Sequence, residues 1–132
     1  MRESTRAALV SRLSEYDRVV EVGIGNRPAV ARTLAATGTT VTATDVRSVP
    51  VPDTVGFSPD DVTDPTTAVY APADAIYALN LPPELHRPAR SLARTVGAEF
   101  LFTTLGADPP TVPVTRESIP GETLFRAKPK PP

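Results

Sequence analysis

The feature that most constrains the fold is a strand, helix, strand pattern near the start of the chain. Residues 18–22, Arg-Val-Val-Glu-Val, form a short β-branched run that predicts a buried strand, and Gly23 ends it. A helix is predicted from about residue 27 to residue 37, and the alternating segment 39–44 predicts a second strand. A helical crossover makes the two strands parallel. The segment therefore predicts an α/β fold.

Three polar residues are predicted to cap helices. Ser4 precedes an amphipathic run, Asn26 precedes a helix whose first turn accepts Pro28, and Asp64 precedes a short helix toward Tyr70. Two further helices are predicted, a leading one over 4–16 and one over 85–96 that Pro88 should kink or restart. Three further strands are predicted over 55–58, 74–79 and 98–104. An antiparallel edge hairpin of 114–119 and 122–127 is predicted around Pro120-Gly121.

These elements predict a Rossmann-like three-layer α/β sandwich. Its sheet would be mostly parallel, with about five strands plus a short C-terminal antiparallel element. A chain of 132 residues is long enough for one core and too short for two full domains. We therefore expect a single domain over residues 1–127 and a flexible tail over 128–132.

Composition excludes several classes of function. The chain has no cysteine and a single histidine, His86, so we expect neither disulfides nor a metal site. A formal net charge of -1 gives no indication of nucleic-acid binding. No segment approaches the roughly 20 apolar residues of a membrane span, so we expect a cytoplasmic protein without a membrane partner. A homodimer that buries an apolar sheet edge is compatible with the sequence.

The loop after the first strand is the candidate ligand site. Gly23 and Gly25 allow a sharp turn that exposes backbone N–H groups, and the following helix directs its positive end toward them. Asp45 lies 20 residues after Gly25, at the tip of the second strand, where a carboxylate can accept both hydroxyls of a ribose. Two alternatives stay open: a tight turn without a ligand, and an Asp45 that caps a surface turn toward Arg47.

With these residues the chain resembles the class I S-adenosylmethionine-dependent methyltransferases over about residues 18–104. The likeness depends most on Glu21, two residues before Gly23, because the family commonly carries an acid there that serves the methionine moiety of the cofactor. The resemblance implies that Glu21, Gly23, Gly25, Asn26 and Asp45 bind cofactor. It further implies contacts from Asp61 and Val62 to the adenine ring, although acids such as Asp61 also cap helix starts.

The loop Glu-Val-Gly-Ile-Gly-Asn-Arg and the segment 76–85 also resemble a family of small archaeal Rossmann-like proteins of uncharacterised function. Some positions depart from the methyltransferase pattern. Arg27 replaces the third glycine, and it would either contact a carboxylate or block the site. Asn80-Leu-Pro-Pro differs from the Asn/Asp-Pro-Pro-aromatic motif of amino-methyltransferases by an inserted Leu81 and by Glu84 in place of the aromatic. The chain also lacks the insertions that usually form a substrate lid.

The leading hypothesis is that the chain binds S-adenosylmethionine, with methyl transfer as the reaction if it is an enzyme. Asn80 would then orient the acceptor, and His86 would act as a base, although His86 is also compatible with an exposed structural position in a turn. One alternative is an NAD(P)-binding protein, since Gly23, Gly25 and Asp45 alone suit a dinucleotide. Another is a non-catalytic module for ligand sensing or assembly.

Overall fold

The computed structural model describes residues 1–129, which contain one seven-stranded sheet with the strand order β3-β2-β1-β4-β5-β7-β6. The sheet combines a parallel part with a C-terminal antiparallel pair. In chain order the elements are α1 (Glu3–Leu13), β1 (Arg18–Val22), α2 (Ala29–Ala36), β2 (Thr40–Asp45), β3 (Gly56–Pro59), α3 (Thr67–Tyr70), β4 (Ala75–Ala78), a 3₁₀ turn (Pro83–Leu85), α4 (His86–Val96), β5 (Glu99–Phe102), β6 (Val114–Ile119) and β7 (Glu122–Ala127).

The parallel strands end together at one edge of the sheet. Val22 of β1 lies beside Thr44 of β2 and beside Ala78 of β4, and Ala78 lies beside Phe102 of β5. The loops that follow these strands therefore all leave from this edge, which we call the carboxyl edge. In open α/β sheets ligands bind at this edge. The predicted α/β Rossmann-like fold is confirmed.

Helices cover both faces of the sheet and form two apolar cores. The first core packs α1 and α2 against one face and includes Leu9, Leu34 and Tyr77. The second packs α3 and α4 against the other face and includes Tyr70, Leu92 and Phe102. Side chains of a strand alternate between these cores. Glu21 therefore shares a face with α1 and α2.

The C-terminal hairpin was predicted with the bounds that the structure shows. β6 and β7 pair antiparallel around Pro120-Gly121, and Gly121 has the positive φ, +72°, that a type II turn requires at this position. β7 also pairs antiparallel with β5, so the hairpin extends the sheet, and of its two strands β6 is the edge strand. The turn comes to lie beside α1.

The predicted helix caps are wrong. The residues at the cap positions of α1, α2 and α3 are Arg2, Pro28 and Thr66, and none of them makes a side-chain cap hydrogen bond. The Thr66 N–H donates instead to both oxygens of Asp60, at 3.1 and 3.2 Å. Asp60 thus holds the residue that precedes α3, and no side chain caps the helix itself.

Pro88 does not kink α4. The helix begins at His86, so Pro88 falls within its first turn, where a missing N–H forfeits no intrahelical hydrogen bond. The predicted tail begins at Lys128, whose N–H donates to the Pro113 carbonyl at 2.9 Å, while residues 130–132 lie outside the described residues. None of the helices within 1–129 is both long and apolar enough to cross a membrane.

Candidate site at the carboxyl edge

The glycine loop folds back onto β2 and leaves its outer surface open. The N–H groups of Gly23 and Ile24 both donate to the Thr44 carbonyl, at 2.9 and 3.1 Å. Gly23 and Gly25 have φ values of +72° and +56°, which side chains other than glycine rarely adopt. A Cβ atom added at either glycine would meet nothing within 4 Å. The loop thus presents bare backbone to the space above the sheet.

Asp45 ties this loop to the end of β2. Its Oδ2 accepts the N–H of Gly25 at 2.9 Å, and its Oδ1 accepts the N–H of Arg47 at 3.1 Å. The expected turn toward Arg47 is therefore present, and so is the expected placement beside the glycine loop. Because a carboxylate offers about four lone-pair positions, each oxygen can still accept a ligand hydroxyl.

Glu21 is a carboxyl group buried within the sheet. It is 2% exposed, and its Oε1 accepts the hydroxyl of Tyr77, directly opposite on β4, at 2.6 Å. Burial raises the pKa of Glu21 to about 7, although the Tyr77 hydrogen bond and the positive charge of Arg27 both favour its ionised form. Burial also raises the pKa of Tyr77, as does the adjacent Glu21 charge. Glu21 thus ionises near neutral pH.

A cavity of about 630 Å³ opens beside Glu21 and the glycine loop. This volume falls in the range of small-molecule sites. Arg27 is exposed and does not fill the cavity. Predicted site residues that line it are Glu21, Gly23, Asn26 and Asn80; Gly25, Asp45, Asp61 and Val62 do not.

Asn80 lies at the cavity wall in the left-handed backbone region. It is the one non-glycine residue with positive φ, +54°, in the described part of the chain, and asparagine is one of the few residue types that adopt this region readily. Its N–H donates to Thr103 Oγ1 at 2.8 Å, which fixes the loop after β4 to the end of β5. This hydrogen bond holds Asn80 in place at the cavity. No pattern in the sequence indicated the contribution of Thr103.

Asp61 and Val62 lie away from the cavity. Asp61 is exposed, and its Oδ1 accepts the N–H and the hydroxyl of Thr63 at 2.8 and 2.7 Å. These hydrogen bonds lower the pKa of Asp61. The Val62 side chain is buried in the core beneath α3 and α4, so only its main chain is available to a ligand. The alternative role for Asp61, capping a helix start, is wrong, because Asp61 bonds Thr63 in a turn and α3 begins only at Thr67. The adenine contact stays a prediction.

His86 is buried, and the expectation of an exposed position was wrong. Its side chain is 0% exposed and packs against Phe102, with ring centroids 4.6 Å apart. The Nε2–H donates to the Leu81 carbonyl at 3.0 Å, and Nδ1 accepts the N–H of Thr111 at 3.1 Å. Neither nitrogen is left to accept a substrate proton. His86 is therefore not available as a base.

Sequence reasoning missed the residues that close the cavity on the side of α1. Arg2 lines it from just before the helix and Arg6 from its first turn, and Gly121 and Glu122 line it from the hairpin turn. The available signal was the presence of two arginines close together at the start of the leading helix. Their approach to the glycine loop depends on packing between segments more than 100 residues apart in sequence.

Comparison with known proteins places the chain among archaeal relatives. Residues 4–129 match the model of UPF0146, described as an uncharacterised protein family. A UPF0146 protein from Halobacterium salinarum is 53% identical over 117 residues, which cover 88% of this chain and 91% of that protein. One from Archaeoglobus fulgidus is 45% identical over 91 residues, which cover 69% and 70%.

Solved structures with this fold include methyltransferases. An RNA methyltransferase from Salinibacter ruber in complex with S-adenosyl-L-homocysteine aligns with a TM-score of 0.66 at 14% identity, covering 96% of this chain and 91% of that one. Human N-acetylserotonin methyltransferase in complex with S-adenosylmethionine aligns with a TM-score of 0.64 at 10% identity, covering 94% and 51%. At these identities the likeness shows a shared Rossmann-like fold.

Proposed function

The chain belongs to the UPF0146 family, and we propose that it binds S-adenosylmethionine at the carboxyl edge of its sheet and uses it as a methyl donor. The single observation that carries the proposal is Glu21, a buried carboxyl that lines a cavity beside the glycine loop. A buried carboxylate is costly unless a cation or hydrogen bonds compensate it. The ammonium and sulfonium groups of S-adenosylmethionine supply positive charge of this kind.

The same carboxyl argues against a dinucleotide. The pyrophosphate of NAD(P) is anionic, and a glycine loop of this kind would hold it close to Glu21. Like charges at short distance in a site of low dielectric constant repel strongly. Binding of NAD(P) would therefore be opposed wherever Glu21 is ionised, whereas S-adenosylmethionine would be favoured.

The residues present fit the cofactor. Asp45 would accept the ribose hydroxyls, since its oxygens retain acceptor capacity after bonding Gly25 and Arg47. Arg27, exposed at the cavity rim, would pair with the carboxylate of the methionine moiety. Asp61 and the main chain of Val62 would serve the adenine ring. The open space over Gly23 leaves room for close approach.

When bound, S-adenosylmethionine would supply an electrophilic methyl carbon. A lone pair of the acceptor would form the new bond, the electrons of the C–S bond would stay on sulfur, and the acceptor proton would pass to solvent. The protein's part is to position the acceptor. Asn80 lines the cavity with its backbone held by Thr103, so its side-chain amide can orient an acceptor by hydrogen bonds.

The test is isothermal titration of the full chain with S-adenosylmethionine, S-adenosylhomocysteine and NAD⁺. We expect the first two to bind and NAD⁺ not to bind. The variant Gly23→Asn should abolish binding, because asparagine tolerates positive φ while its side chain enters the open space above the loop.

Gly97→Asn is the matched control. Gly97 has φ +75°, its added Cβ would also meet nothing within 4 Å, and it does not line the cavity. The two substitutions should lower the free energy of unfolding by similar amounts, and only Gly23→Asn should abolish binding of S-adenosylmethionine and S-adenosylhomocysteine. Binding of NAD⁺ alone would overturn the proposal in favour of a dinucleotide protein. Binding of none of the three ligands would overturn it in favour of an assembly module.

A further inference from the structure

The N-terminal end of α1 brings two arginines to the cavity. Arg2 is the extended residue immediately before the helix, and Arg6 lies in its first turn. Both line the cavity together with Gly23 and Asn80. Arg6 is half-buried and Arg2 is exposed. Two guanidinium groups thus share the cavity with the proposed cofactor site.

Contacts with the hairpin fix the position of this end of α1. The Thr5 hydroxyl donates to the Pro120 carbonyl at 2.5 Å, and the Arg12 guanidinium pairs with Glu117 of β6 at 2.8 Å. The Arg2 guanidinium lies over Gly121, so a Cβ atom added there would meet its Nη2. The backbone of α1 is therefore held at the cavity before a ligand arrives, and binding does not have to order it.

The charges that line the cavity do not balance. Arginines supply three cations, Arg2, Arg6 and Arg27, and carboxyls supply two anions, Glu21 and Glu122. All ion pairs within residues 1–129 involve Arg12 or Arg126, so none of the three cavity arginines has a carboxylate within 4 Å. Glu21 is also partly protonated at neutral pH, because burial raises its pKa to about 7. The cavity has excess positive charge on the α1 side.

We propose that Arg2 and Arg6 bind the methyl acceptor, and that this acceptor is a small molecule bearing a carboxylate or a phosphate group. The inference rests on the proposed function, because it assigns the cofactor to the glycine-loop wall and the acceptor to the α1 wall of one cavity. Guanidinium groups match the planar oxygen pairs of carboxylate and phosphate with two parallel hydrogen bonds. Arg27, next to the glycine loop, is left for the cofactor carboxylate.

The test titrates the full chain with inorganic phosphate and, separately, with malonate, at low ionic strength and in saturating S-adenosylhomocysteine. Low salt is needed because ions screen exposed charges. We expect at least one anion to bind. The double variant Arg2→Gln/Arg6→Gln should lower the affinity for that anion by at least about tenfold, because it removes charge-assisted hydrogen bonds. Binding of phosphate alone would identify a phosphate-bearing acceptor, and binding of malonate alone a carboxylic acid.

The matched control removes two arginines from α4. Arg87 and Arg94 are exposed and do not line the cavity, so Arg87→Gln/Arg94→Gln changes net charge equally and should retain anion affinity within about twofold. Circular dichroism and thermal melts would confirm that both double variants fold. Equal loss of affinity in the two variants, or no anion binding by the unmodified chain, would overturn the inference.

A separate titration distinguishes this inference from the proposed function. S-adenosylhomocysteine should bind Arg2→Gln/Arg6→Gln as it binds the unmodified chain, since these arginines contact the acceptor. If that variant loses affinity for S-adenosylhomocysteine as well as for the anion, the arginines bind the cofactor and the inference is wrong. If S-adenosylhomocysteine never binds, but anion binding without it still depends on Arg2 and Arg6, the anion site stands and the cofactor proposal fails.

Discussion

Tyr77 donates its hydroxyl hydrogen to Glu21 Oε1 at 2.6 Å from the position directly opposite on the neighbouring strand. Both side chains are buried. Burial disfavours the ionised form of Glu21, and the hydrogen bond favours it. The same carboxyl therefore affects the stability of the fold, the pH dependence of that stability, and the charge of the ligand that the site favours.

The first prediction concerns stability against pH. Because burial raises the pKa of Glu21 from 4.5 to about 7, the folded chain binds more protons than the unfolded chain between these values. Stability is then fully present below pH 4.5 and falls as pH rises through 7, by an amount on the order of 3 kcal/mol. Urea unfolding from pH 4 to pH 8 should show this fall for the unmodified chain relative to Glu21→Gln. Parallel curves for the two proteins would contradict it.

The second prediction concerns Tyr77→Phe. This change removes the hydroxyl that donates to Glu21, so the pKa of Glu21 should rise further and the ionised carboxylate should lose its donor. We expect a loss of about 1–3 kcal/mol at pH 8 and a smaller loss at pH 5, where Glu21 is protonated. Chemical unfolding at the two pH values measures the difference. An equal loss at both would show that packing alone accounts for the effect.

The third prediction tests whether Asp45 binds the ligand in addition to forming hydrogen bonds within the fold. Asp45→Ala removes the acceptor for the N–H groups of Gly25 and Arg47, so it should cost about 2 kcal/mol and abolish binding of S-adenosylhomocysteine. The control is Asp74→Ala, at the opposite edge of the sheet, where Asp74 Oδ2 accepts the Arg18 N–H at 3.0 Å. Calorimetry should show that the control retains the ligand.

The fourth prediction concerns His86→Leu. The substitution leaves the Leu81 carbonyl and the Thr111 N–H without their partner, so the free energy of unfolding should fall by about 2–4 kcal/mol. Affinity for S-adenosylhomocysteine, measured well below the melting temperature, should change by less than about threefold, because the His86 side chain does not line the cavity. A large loss of affinity with unchanged stability would restore a role for His86 in the site.

The number of strands and most element positions could be predicted because their signals are local. The β-branched run 18–22, the glycines at 23 and 25, and the alternating segment after them define the first parallel pair, and Pro120-Gly121 defines the hairpin. Helix caps were less predictable. Asp60 accepts the N–H of Thr66, the residue before α3, from six residues away. Several nearby polar residues compete to form a hydrogen bond of this kind, so the sequence does not indicate which of them forms it.

By itself, the sequence determined a Rossmann-like α/β fold with an acid and two glycines at the end of the first strand, since hydrophobic period and turn chemistry act over a few residues. Tertiary structure decided what those residues contact. The pairing of Glu21 with Tyr77, the burial of His86, and the placement of Arg2 and Arg6 over the cavity depend on packing between distant segments. Burial and electrostatic environment exist only once those segments meet, and they set the chemistry of the site.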